Sequence, residues 1–236
     1  MDLEVEALKQ AVAEEASLRV ESGMRLGLGT GSTVAHFLVA LSKRLKDGEI
    51  ADISGVPSSV WTKRKAAELN IPLTSLAKNP VLDLTIDGAD EVDPHLDLIK
   101  GLGGALLREK IIAQASRRLA IMVDETKIVG QLGTKSPVPV EVVPFEWRIH
   151  IGFMDSKGAK AKRRMTSQGD PFITDNGNFI LDCYFEDGLY DSKTFEESLT
   201  TRCGIVESGL FIQMATEVIV SETEGAVRTL YPKDKG

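Results

Sequence analysis

The chain is poor in the residues that build covalent or metal frameworks. Its two cysteines, Cys183 and Cys203, form no CxxC pattern, which excludes a disulfide scaffold and points to buried free thiols. Its three histidines, His36, His95 and His150, are scattered without HExxH or paired-cysteine spacing, so no zinc site built by the protein is visible. No apolar run nears the ~18 residues of a membrane span. The first residues are acidic and lack the basic start and apolar core of a signal peptide, so the expected location is cytoplasmic. Positive charge is also in short supply. A net charge of −7 argues against nucleic-acid partners, which select a basic surface. A phosphorylated ligand would need lysines gathered at its own site to reverse that field.

What remains is an ordinary globular composition, 42% apolar and 27% charged over 236 residues, enough for one large α/β domain or a main domain with a smaller one. Strand and helix patterns alternate through the first half. A helix over residues 3–21 is followed by a strand at 24–29, a helix at 32–45, a strand at 50–56 and a helix at 58–69. A buried strand at 82–86, a helix at 104–117 and a strand at 119–123 complete this half. Such alternation predicts a Rossmann-like, mainly parallel sheet with helices on both faces. Prolines 137, 139 and 144 then mark a change of pattern. A small α+β (ferredoxin-like) domain is expected over residues 136–207. Residues 1–135 and 208–236 form the main domain, with tail strands at 217–220 and 227–230 rejoining its sheet.

Ligands in open parallel sheets bind beyond the carboxyl ends of the strands. Two motifs follow strand ends. Gly29-Thr30-Gly31-Ser32-Thr33 opens a helix, where glycines admit an anion to the backbone and hydroxyls and helix N–H groups receive it. A tight turn with Ser32 or Thr33 as a helix cap is the plainer reading. The motif departs from G-x-G-x-x-G at Ser32, and no acid closes the second strand, which disfavours a nicotinamide oxidoreductase. The second motif is Asp87-Gly88-Ala89-Asp90, where turn chemistry alone also favours aspartate. Ala89 and Glu91 break an EF-hand pattern, although one or two of these carboxylates would suit Mg²⁺.

Lys100 precedes a flexible turn, Gly101-Leu102-Gly103-Gly104, and the helix that follows carries Glu109. Helical spacing sets Glu109 beside Ala105, Ile112 and Ala113, with Lys110, Gln114 and Arg117 on the polar face. A carboxylate on an apolar face is a candidate general base, because burial raises its pKa toward neutrality. An edge carboxylate paired with Arg108 or Lys110 fits the pattern equally. The basic run Lys157, Lys160, Lys162, Arg163 and Arg164 reads as a solvated face of the small domain or a subunit contact rather than an RNA site.

Gly29 to Thr33, Asp87 to Glu91, Lys100 to Gly104 with Arg108-Glu109-Lys110, Asp124 to Lys127 and Pro139 to Pro144 together resemble ribose-5-phosphate isomerase of the A type, in the family's order over nearly the whole chain. The resemblance implies interconversion of ribose 5-phosphate and ribulose 5-phosphate through an enediolate, without metal or organic cofactor, in a homodimer or homotetramer. It implies Glu109 as base, with Asp87 and Lys100 also catalytic. Its substrate contacts would be Lys9, Thr30, Gly31, Ser32, Thr33, Asp87, Gly88, Ala89, Asp90, Lys100, Gly101, Leu102, Gly103 and Lys127. Leu102 departs from the glycine or arginine found there in many members. A non-catalytic sugar-phosphate sensor on the same scaffold is the alternative reading.

Overall fold

The computed structural model describes residues 2–223 and 225–232. In chain order its elements are α1 (Asp2–Ser17), β1 (Arg25–Leu28), α2 (Ser32–Lys46), β2 (Ser54–Pro57), α3 (Val60–Glu68), β3 (Leu84–Gly88), β4 (Glu91–Val92) and β5 (Leu98–Ile99). They continue with α4 (Leu106–Gln114), β6 (Leu119–Asp124), a 3-10 turn (Glu125–Lys127), β7 (Val138–Val142), α5 (Ile149–Ser156), β8 (Lys160–Arg163) and β9 (Phe179–Tyr184). The last are α6 (Ser192–Thr200), β10 (Ile205–Ser208), β11 (Leu210–Phe211), β12 (Glu217–Ser221) and β13 (Val227–Leu230). The chain divides into two compact units, the first drawing on residues up to Ala89, Arg108–Ile128 and those from Met214 on, the second on Asp90–Leu107 and Val129–Gln213.

The first unit is a six-stranded sheet in the order β13-β12-β6-β3-β1-β2. Every pairing is parallel except that of β12 with β13. The tail strands therefore extend this sheet, as the sequence pattern predicts. Alternation along the central strands sorts their side chains between two faces. Leu26, Leu28, Leu84 and Ile86 enter one core with Val12, Ala13 and Ala16 of α1 and Val34, Phe37, Leu38 and Leu41 of α2. The α2 residues fall at i, i+3, i+4 and i+7, the spacing of an amphipathic helix, and each is fully buried. Burying side chains of that size is worth about 1.5–3 kcal/mol apiece. The opposite face carries a second cluster of Val56, Leu82 and Ile112, so helices cover both faces of a Rossmann-like sheet.

In the second unit β7, α5, β8, β9, α6 and β10 make a βαββαβ run whose sheet has the order β10-β7-β9-β8, antiparallel throughout. That is the ferredoxin-like arrangement. Its core gathers Val138, Val140, Val142, Leu181, Met154, Phe195 and Leu199. A small sheet in the order β11-β5-β4 belongs to the same unit. Among the described residues no helix is long and apolar enough to cross a membrane. The thiols correct one expectation: Cys183 is buried, and burial pushes its pKa up, whereas Cys203 is exposed.

Candidate active site

In the first unit, the parallel register aligns Gly27 of β1 with Thr85 of β3 and Leu28 with Ile86. The segments that follow β1, β3 and β6 therefore share the carboxyl edge of the sheet. Two glycines of β1 and its loop are present for lack of space. A β-carbon at Gly27 would lie 1.8 Å from Thr85 Oγ1 and 2.5 Å from Ile112 of α4. A β-carbon at Gly29 would lie 2.1 Å from Asp87 Oδ1. The absence of these side chains lets α4 close onto the sheet and lets the Asp87 carboxylate fold over the backbone. Asp87 is 1% exposed, and its Oδ1 accepts the N–H of Thr30 at 3.1 Å and that of Gly88 at 2.8 Å. A buried carboxylate needs such donors to offset its lost hydration.

Gly31 answers a different demand. Its φ of 122° lies where side-chain-bearing residues are rarely found. It caps α2 without a side-chain hydrogen bond, leaving the first turn uncapped. The helix dipole and those N–H groups make this terminus attractive to an anion. Ser32 is exposed and Thr33 half-buried beside it, so neither acts as the cap that the plainer reading supposes. Thr30 turns the other way. Its hydroxyl meets Ser58 Oγ at 2.7 Å and Thr62 Oγ1 at 3.0 Å, while Thr62 Oγ1 donates to the Gly29 carbonyl at 2.7 Å. Ser59 caps α3 by accepting the Thr62 N–H. This hydroxyl network joins the β1–α2 and β2–α3 loops. Sequence reasoning passes over Ser58 and Thr62, although Ser58 follows a strand end on the same edge.

Glu109 stands in the first turn of α4 and is 5% exposed. The carboxyl end of α4 lies by the start of β3, where Leu82 N–H donates to Ala115 O at 2.8 Å and Arg117 N–H to Leu82 O at 2.9 Å. The helix therefore begins near the strands' carboxyl edge. Ile112 sits over Gly27, and Glu109 lies one turn further toward that edge, about 4.5 Å along the axis. Gly29 is about 6.6 Å beyond Gly27 along the strand. Glu109 is thus carried on the sheet face to which Thr85 and Asp87 point, at the edge where the uncapped α2 begins. One expectation for this helix fails: Lys110 is buried at 4% exposure while Ile111 is 46% exposed. Gln114 and Arg117 remain exposed and Ala105, Ile112 and Ala113 buried, so the polar face is in place but narrower than spacing suggests.

Lys127 ends the 3-10 turn after β6, on the same edge, and is half-buried. Lys9 lies on α1, and its ammonium meets Glu6 Oε1 at 2.7 Å; Glu6 also contacts His36 of α2 at 2.9 Å. Lys9, followed by His36, holds the Glu6 carboxyl below its ordinary range. Among the described residues, Lys9 is thereby joined to Glu6 rather than to the Gly29–Thr33 loop.

In the second unit, Lys100 is 3% exposed, with Nζ 5.3 Å from the Phe211 ring centroid. Its N–H donates to Gly209 O at 2.8 Å. Gly101 has a φ of 102°, and a β-carbon there would strike Leu106. The Leu102 side chain is exposed while its N–H donates to Asp90 Oδ2 at 2.9 Å. Gly103 is open, and a β-carbon there would meet nothing within 4 Å. Arg163 and Arg164 depart from the solvated face expected of the basic run. Arg163 lies 4.7 Å from the Trp147 ring centroid and 5.3 Å from that of Phe179, and Arg164 is 11% exposed and paired with Asp182.

A Rossmann-like sheet whose carboxyl edge combines an uncapped helix terminus, a buried aspartate and a buried glutamate is a frame suited to small anionic ligands. The model of the family "Ribose 5-phosphate isomerase A (phosphoriboisomerase A)" matches residues 54–225. Ribose-5-phosphate isomerase A of Chloroflexus aurantiacus is 48% identical over 221 residues, covering 93% of this chain and 92% of that one. The Thermococcus kodakarensis protein of the same name is 45% identical, with 96% and 99% covered. Among solved structures, a D-ribose-5-phosphate isomerase in complex with phospho-erythronic acid superposes with a TM-score of 0.93 at 46% identity, over 96% of this chain and 99% of that one. The Plasmodium falciparum enzyme gives 0.93 at 40% identity, over 97% and 99%. The chain belongs to the ribose 5-phosphate isomerase A family.

Proposed function

We propose that this protein interconverts D-ribose 5-phosphate and D-ribulose 5-phosphate, an aldose–ketose isomerisation of the non-oxidative pentose phosphate pathway. It acts in the cytoplasm as a homodimer or homotetramer. The observation that carries the reading is the buried Glu109 on the Asp87 face of the sheet, at the edge where the α2 terminus is uncapped. The phosphate is assigned to that terminus, with Ser32 and Thr33 donating and Lys127 countering a protein of net charge −7. A relative bound to phospho-erythronic acid supports a phosphorylated sugar-acid shape for the ligand.

Asp87 is assigned to ring opening as acid and base. Glu109 then removes the proton from C2 of the open aldose, and the electron pair moves through C1 onto O1, giving an enediolate. Glu109 returns the proton to C1 as the O2–H bond gives up its proton toward O1, leaving the ketose. Nothing is oxidised or reduced overall. A positioned base gives about 10²–10⁴-fold. Lys100 and the turn N–H groups are assigned to the oxygen that becomes negative, where a single donor is worth on the order of 10²–10³-fold.

The test is turnover of ribose 5-phosphate in EDTA without added cofactor, for the parent chain and for Glu109→Gln. The parent is expected to turn over, and the variant to lose about 10²–10⁴-fold in kcat while still binding phospho-erythronic acid. Parent binding without turnover would instead make the chain a sensor, and full activity in the variant would remove Glu109 as the base.

A further inference from the structure

Arg164 stands just past β8 and is tied down at both ends of its guanidinium. Nε donates to Asp182 Oδ2 at 3.0 Å and Nη2 to Asp182 Oδ1, a fork on one carboxylate. Nη1 donates to the carbonyls of Gly101 and Leu102, each at 2.8 Å. Phe172, whose N–H donates to Arg164 O at 3.0 Å, braces the far end of the same turn. A β-carbon at Gly104 would lie 2.4 Å from its ring, and the guanidinium lies 5.7 Å from the ring centroid. The turn itself is closed by Gly104 N–H on Gly101 O at 2.9 Å.

Peptide planarity converts these contacts into a direction. In a trans peptide the carbonyl of one residue and the N–H of the next point opposite ways. With the Gly101 carbonyl held toward Arg164, the Leu102 N–H must point away, and it is found on Asp90 Oδ2. The Leu102 carbonyl is held likewise, so the Gly103 N–H also points away from Arg164. It makes no hydrogen bond among the described residues.

We propose that Arg164, backed by Asp182, is a positioning residue that fixes the two peptide planes of the 101–104 turn and so presents the Gly103 N–H to an oxygen that gains negative charge in the reaction. This rests on the isomerase reading above. The arginine touches no reacting atom; it acts through the backbone. Lysine cannot replace it, because a point charge cannot hold a carboxylate fork and two carbonyls together.

Arg164→Lys is compared with the parent in ribose 5-phosphate turnover, thermal unfolding and amide exchange of the 100–104 segment. The expected result is a fall in kcat of about 10- to 100-fold, the scale of a ~1 Å misplacement, with KM within about threefold and faster exchange in the turn. Asp182→Asn, which keeps the arginine but weakens its support, is expected to move kcat the same way by less, and it carries the test if the lysine variant does not fold. Parental kcat in either folded variant, or a loss confined to KM, would overturn the positioning role while leaving the isomerase reading intact. An inactive parent would remove both.

Discussion

The backbone of Gly29 lies so near Asp87 that a β-carbon at position 29 would fall 2.1 Å from Oδ1 and 2.7 Å from the aspartate Cα. The glycine is thus the space into which a buried carboxylate fits, and the two positions have to be considered as a pair.

Gly29→Ala is therefore expected to displace Asp87 and the Thr30 N–H that it accepts. Overpacking of this kind costs about 1–3 kcal/mol, read as a lower midpoint in denaturant unfolding, and turnover should fall at least tenfold. Gly103→Ala is the control for stability, since nothing lies within 4 Å of its added carbon and its φ is not positive. A Gly29→Ala protein as stable and active as the parent would contradict the packing described.

The hydroxyls of the β1–α2 loop should separate by function. Thr33→Val and Ser32→Ala remove donors beside the uncapped terminus, so KM for ribose 5-phosphate should rise, by about tenfold for a bond to a charged group, with unfolding unchanged. Thr30→Val removes the centre of the Ser58–Thr62 network and should instead lower stability by about 1 kcal/mol. Steady-state kinetics with thermal unfolding of the same samples distinguishes the two patterns. The opposite assignment would mean that Thr30, and not Ser32 or Thr33, meets the phosphate.

His150 makes stability depend on mild acid. It is 1% exposed, and its Nδ1 accepts from Arg202 Nε at 3.1 Å. Burial first, and the Arg202 charge second, hold its pKa below the ordinary 6.5. Below that value the unfolded chain takes up a proton that the folded chain refuses, so stability falls as pH drops from about 7 toward 5. Exposed Glu6 and Asp191 and half-buried Glu125, whose pKa values are lowered, act in a separate window beneath the ordinary carboxylate range. In His150→Gln the loss of Tm between about pH 7 and pH 5 should be smaller than in the parent; equal slopes would remove His150 as its source.

Much of this is readable in the sequence because period and chemistry coincide. Leu84, Ile86 and the acidic turn after them mark β3 in any reading, and the α2 stripe is continuous. The two-residue strand β4 leaves no trace in the pattern, because Asp93 to Asp97 form a turn with Leu96 at a positive φ of 62°, whereas β5 falls in the apolar, strand-like segment Leu96-Leu98-Ile99. β10 and β11 escape it as well. Gly209 separates them, and it is required there because a β-carbon would lie 2.1 Å from Lys100 O, a contact over a hundred residues away in sequence. The role of Arg164 is hidden for the same reason. Its neighbours Lys160 and Lys162 suggest a wet basic face, while its partners at Gly101 and Leu102 lie in another part of the chain.

The spacing of Gly27, Gly29 and Gly31 divides this stretch into positions that can vary and positions that cannot. Leu26 and Leu28 alternate with the glycines and face an aliphatic core, where Ile, Val or Met can be repacked. The glycines admit no substitution on grounds of room or backbone angle. Directed evolution toward longer or shorter phosphorylated sugars should therefore leave the three glycines untouched and accumulate its changes from Ser32 onward.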